Sequence, residues 1–230
     1  MAGQRLDGSE RRNAIIEAAL PLFARKGLAA TTTREIAQAA GVSEGLIFKH
    51  FPSKAALYEA IVLSCVEGDP EMARLTALPP CTATVIQFVQ ALVRYFVFDM
   101  AGEPLDRSRH RLLVMSLLED GEFARHVYRW IAEAIEPQFA AAVRAAEAAG
   151  DMVASPVPAE VRLRPAVLMG QMVATLSLPE RSVLAAPFTG ATHMDRADLA
   201  NRAAWFILRG VGLCDAAIAD HWIIPEGDHP

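Results

Sequence analysis

Cysteine and lysine are scarce in this sequence of 230 residues, with three of each. Cys65, Cys81 and Cys214 are far apart and form no Cys-x-x-Cys pair. Neither a disulfide framework nor a zinc site is indicated. Long apolar runs are missing as well. The best candidate, around Val85 to Phe98, is interrupted by Gln87, Gln90 and Arg94, short of the ~20 apolar residues that span a bilayer. Met1 to Asp7 has no apolar signal core, so the expectation is a soluble, cytoplasmic protein. Runs of β-branched residues are short, and neither a strand pair nor a fixed-period repeat is visible. No Gly-x-Ser-x-Gly, His-Glu-x-x-His, P-loop or Gly-x-Gly-x-x-Gly pattern occurs. His193 with Asp195, and Asp220 with His221, form no metal-ligand set, and Glu119, Asp120 and Glu122 read as a solvated helix junction. No enzyme activity, cofactor or metal is expected.

What is present is apolar and helical. Hydrophobic residues make up 53% and charged residues 21%, too apolar for a disordered chain and enough for a buried core. Apolar residues recur three and four apart nearly everywhere. Ile16, Ala19, Leu20 and Phe23 form one stripe. Val85, Val89, Leu92, Phe96 and Met100 form another, thickened by Phe88 and Val93. Phe123, Val127, Trp130, Ile131 and Ala134 repeat the spacing. So do Leu168, Met172 and Leu176, and Leu199, Ala203, Phe206, Gly210 and Leu213. The breaks are Lys26-Gly27, which ends the first helix, Pro79-Pro80, Gly102 to Pro104, Gly121, Gly150 to Pro158 and Ala186 to His193. Pro21 predicts a kink inside the first helix, and the tail from Ile224 is expected to fray. The chain reads as all-α, with nine or ten helices.

The net charge of -5 argues against nonspecific coating of nucleic acid. The charge is uneven, however. Residues 1–54 carry eight Lys/Arg against five Asp/Glu, and hold every lysine; the remainder carries fourteen against twenty-two. A +3 segment thus precedes a -8 body. Within the positive segment Thr32 and Glu35 fit a capping box that opens a helix. Ile36, Ala37 and Ala40 can face inward, Gly41 permits a tight turn, and Val42 can bury between two helices. Ser43 caps a second short helix, in which Ile47 and Phe51 give one apolar side. Pro52-Ser53 stops it, and Ser53 caps the helix beginning at Lys54. This is the pattern of a helix-turn-helix, whose second helix can lie in the major groove. Thr32, Thr33 and Ser43 offer hydroxyls and helix N-terminal amides to phosphates, and Arg34, Lys49 and Lys54 neutralise phosphate charge.

From about Arg11 to Leu63, a quarter of the chain, the sequence resembles the TetR family of bacterial transcriptional regulators. The resemblance rests on Ala18-Ala19-Leu20-Pro21-Leu22-Phe23-Ala24-Arg25-Lys26-Gly27, on Thr32-Thr33-Arg34-Glu35-Ile36-Ala37, on Ala40-Gly41-Val42-Ser43, and on Phe51-Pro52-Ser53-Lys54-Ala55-Ala56-Leu57. It implies a three-helix DNA-binding domain, residues 1–65, and a larger helical ligand-binding and dimerisation domain, residues 66–230. It further implies that Thr32 and Thr33 hold the DNA backbone and that Arg34 reaches the DNA. Ser43, Glu44, Gly45 and Leu46 open the recognition helix, Lys49 and His50 follow as contacts, and Lys54 matches a phosphate-binding lysine. Phe48 stands where the family usually has tyrosine; without the hydroxyl, it is expected to stack on sugar or touch a thymine methyl. Glu44 either accepts from a cytosine amino group or serves the helix dipole, the second being favoured.

The body, by the same resemblance, binds a small effector and forms a homodimer. Small residues in two long segments, about 160–178 and 195–219, suit close helix approach in a four-helix bundle about a two-fold axis. Such a dimer implies a palindromic operator. Phe88, Phe96, Arg111, Met115, His126, Trp130, Met169 and Met172 are the candidate ligand contacts, and they suit an apolar or aromatic effector. The expected function is a ligand-responsive repressor. Two alternatives stand beside it: a DNA-binding regulator answering to a protein partner, and a helical enzyme or carrier with a vestigial helix-turn-helix.

Overall fold

Most of the apolar stripes read from the sequence lie on helices among the described residues. The computed structural model describes residues 7–64, 70–99, 104–119, 121–177 and 196–223, with the backbone alone at 62 and 173–177. Cys65, Met100, Asp120, His193, Asp195, the 186–193 loop and the tail from 224 lie outside the described residues. Within them run α1 (Gly8–Ala30), α2 (Thr33–Ala40), α3 (Glu44–His50), α4 (Lys54–Ser64), α5 (Pro70–Thr76) and α6 (Thr82–Arg94). A π-helical turn, Tyr95–Asp99, follows. Then come α7 (Pro104–Leu118), α8 (Glu122–Ala134), α9 (Glu136–Ala149), a 3₁₀ turn (Ala159–Val161), α10 (Leu163–Ser177), α11 (Arg196–Val211) and α12 (Asp215–His221). These are twelve α-helices rather than nine or ten. One of the differences is the segment expected to run to residue 219. It is cut at Gly212, whose φ of 117° no helix accommodates, and restarts at α12. Among the described residues the only β pairing is a single antiparallel bridge, Met152 to Leu213, and no single helix is long and apolar enough to cross a membrane.

The described chain divides into two compact units, and the first is not contiguous. It comprises Met1–Gly68 together with Pro104–Arg129. In it, α7 and the start of α8 pack with the N-terminal helices. The α1 stripe accounts for this packing. Ile15, Ile16, Ala19, Leu20 and Phe23 are all buried, against Ile36, Ile47, Leu57 and Ile61 on one side and Leu112, Leu113 and Phe123 on the other. Phe23 meets Tyr58 edge-on at 5.3 Å, and Tyr58 meets Phe123 at 5.6 Å. Such pairs add to the burial of their apolar area.

The N-terminus of α1 is closed by a capping box. Asp7 accepts from the amides of Ser9 and Glu10, while Glu10 accepts from the Asp7 amide. The departure from helical backbone lies at Gly27, with φ 72°, rather than at Pro21. Gly27 ends the first helical stretch as expected: its ψ of 174° is extended, and the residues after it form a separate turn across the kink. Thr31, fully buried, donates its hydroxyl to the Gly27 carbonyl at 2.8 Å.

The second unit comprises Asp69–Glu103 and Trp130–Pro230. Its core is α6 against α9 and α11. Val85, Ile86, Phe88, Val89 and Val93 are buried, as are Phe139, Val143, Ile207 and Leu208. Phe88 and Phe139 meet edge-on at 5.7 Å. Arg162, only 4% exposed, ties the lower loops together. Its Nε donates to the Val157 carbonyl at 2.8 Å, Nη1 to the Val211 carbonyl at 3.4 Å, and Nη2 to Glu147 at 2.7 Å.

Candidate nucleic-acid interface

The turn between α2 and α3 is dictated by its residues. Thr32 caps α2: its hydroxyl accepts from the Glu35 amide at 3.2 Å and donates to Glu35 Oε2 at 2.9 Å. The same carboxylate oxygen accepts from the Thr32 amide at 3.0 Å. At the other end Gly41 takes the left-handed conformation, φ 65° and ψ 33°, which lets Val42 donate back to Ala37 at 3.0 Å. This is the glycine-dependent helix ending in which later amides satisfy earlier carbonyls. Ser43 then caps α3, its hydroxyl accepting from the Leu46 amide at 3.2 Å.

Buried residues fix which way α3 faces. Ile47 and Phe51 are each 2% exposed, so the opposite side points out. Glu44 and Phe48, and Gly45 and Lys49, stand four apart on that side, and all four are exposed. Ser43 is exposed too, while Leu46 and His50 are half-buried. At Gly45 an added Cβ would meet nothing within 4 Å, so a surface can approach the backbone there. Arg34 and Thr32 are exposed at the start of α2, with Thr33 half-buried beside them. The first-turn amides of a helix lack intrahelical partners by position, which leaves those of Thr33 and Arg34 available to an anion.

Several polar side chains are engaged within the unit in ways that the sequence pattern did not reveal. Thr33 donates its hydroxyl to Glu44 Oε2 at 2.8 Å, linking the leading ends of α2 and α3. Lys54 donates to the carbonyls of Thr31 at 2.9 Å and Ala29 at 3.3 Å, closing the last turn of α1. Lys26 pairs with Glu35. That ammonium first, then the Thr32 amide and hydroxyl, lowers the Glu35 carboxyl from 4.5 to about 2. The Arg12 guanidinium lies 5.1 Å from the Phe51 ring centroid, within cation–π range. The Thr32–Glu35 box and the Ser43 and Ser53 caps were readable beforehand, since each has a fixed sequence spacing.

The candidate ligand contacts do not share one unit. Arg111, Met115 and His126 belong to the first, and Phe88, Phe96, Trp130, Met169 and Met172 to the second. The Arg111 Nε donates to the Ala24 carbonyl at 2.9 Å. Phe88 and Phe96 are buried, Met115, His126, Trp130 and Met169 are half-buried, and Met172 is 62% exposed. The Phe96 ring lies over Gly170, where an added Cβ would be 2.6 Å from it. No group of three His, Cys, Asp or Glu side chains able to hold a metal ion occurs among the described residues.

Comparison with known proteins agrees with this geometry. Residues 15–61 match the sequence model of the bacterial regulatory proteins of the tetR family. The regulator TtgR of Pseudomonas putida is 43% identical over 68 residues, 30% of this chain and 32% of that protein. The repressor KstR2 of Rhodococcus jostii is 44% identical over 54 residues, 24% of this chain and 26% of that protein. The chain thus spans about a quarter to a third of the length of these curated relatives. Likeness in fold extends much further. A tetR-family regulatory protein from Rhodococcus RHA1 is 25% identical with a TM-score of 0.64, covering 90% of this chain and 99% of that one. SmeT, solved in complex with triclosan, is 18% identical with a TM-score of 0.65, covering 94% and 95%. These neighbours share an N-terminal helix-turn-helix domain followed by a helical domain. In its helix-turn-helix, residues 15–61, and in the helical fold of its described residues, the chain is similar to the TetR family of bacterial regulatory proteins.

Proposed function

We propose that this protein is a DNA-binding transcriptional regulator, a homodimeric repressor released from a palindromic operator by a small effector. The observation that carries the reading is the outward side of α3, where Glu44, Gly45, Phe48 and Lys49 are exposed while Ile47 and Phe51 anchor the helix behind them. A short helix held in this way can enter a major groove as a rigid body. Arg34, Lys49 and His50 supply cationic or donor groups to DNA, together with Ser43, Leu46 and the first-turn amides of α2. The hydroxyls of Thr32 and Thr33 are spent on Glu35 and Glu44, so these residues serve DNA through backbone position. Lys54 acts mainly by fixing the end of α1. The TetR-family relatives named as transcriptional regulators and repressors support the same reading.

Two stripes of the second unit favour dimerisation. Leu168 and Met172 of α10 are 51% and 62% exposed, and Phe206 of α11 is 65% exposed. Their helices bury other sides, through Ala166, Val167 and Gly170 and through Ala204, Ile207 and Leu208. A helix that is apolar on both sides needs a second partner, and a second copy of the same pair would supply it as a four-helix bundle. The effector reading rests on Phe88, Phe96, Trp130 and Met169 in the same unit, and on the triclosan complex of SmeT. An apolar or aromatic compound suits side chains of this kind. Derepression requires unequal affinity of the effector for the DNA-competent and DNA-incompetent states.

Selection of bound duplexes from a random pool, at fixed salt, tests the reading. Enrichment of a two-fold-related motif with half-sites about one helical turn apart is the expected result. Absence of any enriched motif, with folded dimeric protein, overturns it.

A further inference from the structure

Glu44 is out of place on a surface that meets DNA. Phosphate oxygens only accept hydrogen bonds and carry negative charge, so a carboxylate there is repelled unless it finds a donor. The structure supplies half of an explanation. Thr33 donates its hydroxyl to Oε2 of Glu44 at 2.8 Å. A hydroxyl has a single proton, and this one is committed to Glu44. A carboxylate offers about four acceptor positions, so one such bond orients Glu44 without exhausting it.

The remaining acceptors sit on the exposed side of α3. Phe48, one turn further on, is 49% exposed and offers no acceptor. At Gly45 nothing stands within 4 Å of a would-be Cβ. The donors that a major groove presents are the amino groups of cytosine and adenine. Adenine's lies between its own N7 and the paired thymine O4, both acceptors that repel a carboxylate; cytosine's has an acceptor, the paired guanine O6, on one side only, and its own C5–H on the other. Resting on the DNA-binding reading above, we infer that Glu44 is a specificity-determining residue that selects cytosine at one position of each half-site, with Thr33 as the positioning residue that aims it.

The test varies each position of the selected operator and measures affinity for the native protein and for Glu44→Ala, Glu44→Gln and Thr33→Val at several salt concentrations. Glu44 is exposed and Thr33 half-buried, and thermal melting confirms folding of all three variants. The native protein is expected to prefer cytosine over the other bases at one half-site position by about tenfold or more. Glu44→Ala flattens that preference and no other. Glu44→Gln moves it towards adenine, which pairs with an amide in bidentate fashion. Thr33→Val weakens it while leaving the salt dependence of binding unchanged, since no phosphate contact is lost. An unchanged base preference in Glu44→Ala overturns the inference but leaves the DNA-binding reading standing. So does an affinity loss spread evenly over all sequences. A native protein that enriches no site overturns the reading, and the inference with it.

Discussion

Single residues in the N-terminal unit carry effects that can be measured one at a time. Gly41 has space for a methyl group but not the backbone for one: its φ is 65°, and nothing lies within 4 Å of an added Cβ. Gly41→Ala is therefore expected to cost about 1–2 kcal/mol through left-handed strain alone, read as a lower midpoint in urea unfolding. Two groups titrate with opposite chemistry and the same sign. Glu35 is held down to about 2 by Lys26 and Thr32, so its contribution is full above pH 4.5 and disappears as the pH falls towards 2. His110 is buried, and desolvation lowers its pKa from 6.5. The unfolded chain then takes up a proton there before the folded one does, and stability declines as the pH falls below 6.5. Urea midpoints measured from pH 8 to 3 should show both declines; Glu35→Gln removes the lower one, and His110→Gln the upper. The Thr32–Glu35 box was legible in the sequence because its residues sit at a fixed spacing. The Thr33–Glu44 and Lys54–Thr31 bonds were not, because they join residues eleven and twenty-three apart. They depend on how the helices are folded back on one another.

At the scale of elements, helix periodicity located most helices but not which way each one faces. The stripe Ile16, Ala19, Leu20 and Phe23 proved to be core. The stripe Leu168 and Met172, read with the same rule, points outward, as does Phe206 in the stripe beginning at Leu199. Spacing is identical for a helix buried against its own chain and one that meets another chain. The α10 helix also depends on a small residue. An added Cβ at Gly170 would stand 2.6 Å from the Phe96 ring and 3.5 Å from Leu92. Gly170→Ala is expected to destabilise the second unit by about 1–3 kcal/mol, with Gly170→Ala/Phe96→Leu recovering part of the loss. Nothing in the sequence marked Gly170 apart from Gly210, where an added Cβ would meet nothing. Arg162 was likewise invisible, since an arginine between two loops reads as solvated. Removing it, as in Arg162→Met, leaves the buried Val211 carbonyl without this donor, which costs about 1–3 kcal/mol, while the exposed Val157 turns to water. Thermal melting checks both substitutions.

For the molecule as a whole, two features organise the proposed function: a positive N-terminal segment within an acidic chain, and an apolar side on α10 and α11. The second predicts that Met172→Glu/Phe206→Glu yields a folded monomer in sedimentation, with operator affinity falling by orders of magnitude because each half-site is then bound alone. A double variant that remains dimeric places the dimer contact elsewhere. The first feature means that phosphate neutralisation is confined to a few side chains, above all Arg34 and Lys49, and not spread over the surface. Each phosphate contact contributes about 0.9 to the slope of log affinity against log salt. The decisive measurement is therefore that slope for the selected operator, in the native protein and in Arg34→Ala/Lys49→Ala. The slope should become shallower by about two units per half-site, with affinity lost roughly evenly across related sequences. An unchanged slope and affinity in the double variant would show that α2 and α3 are not the surface that holds DNA.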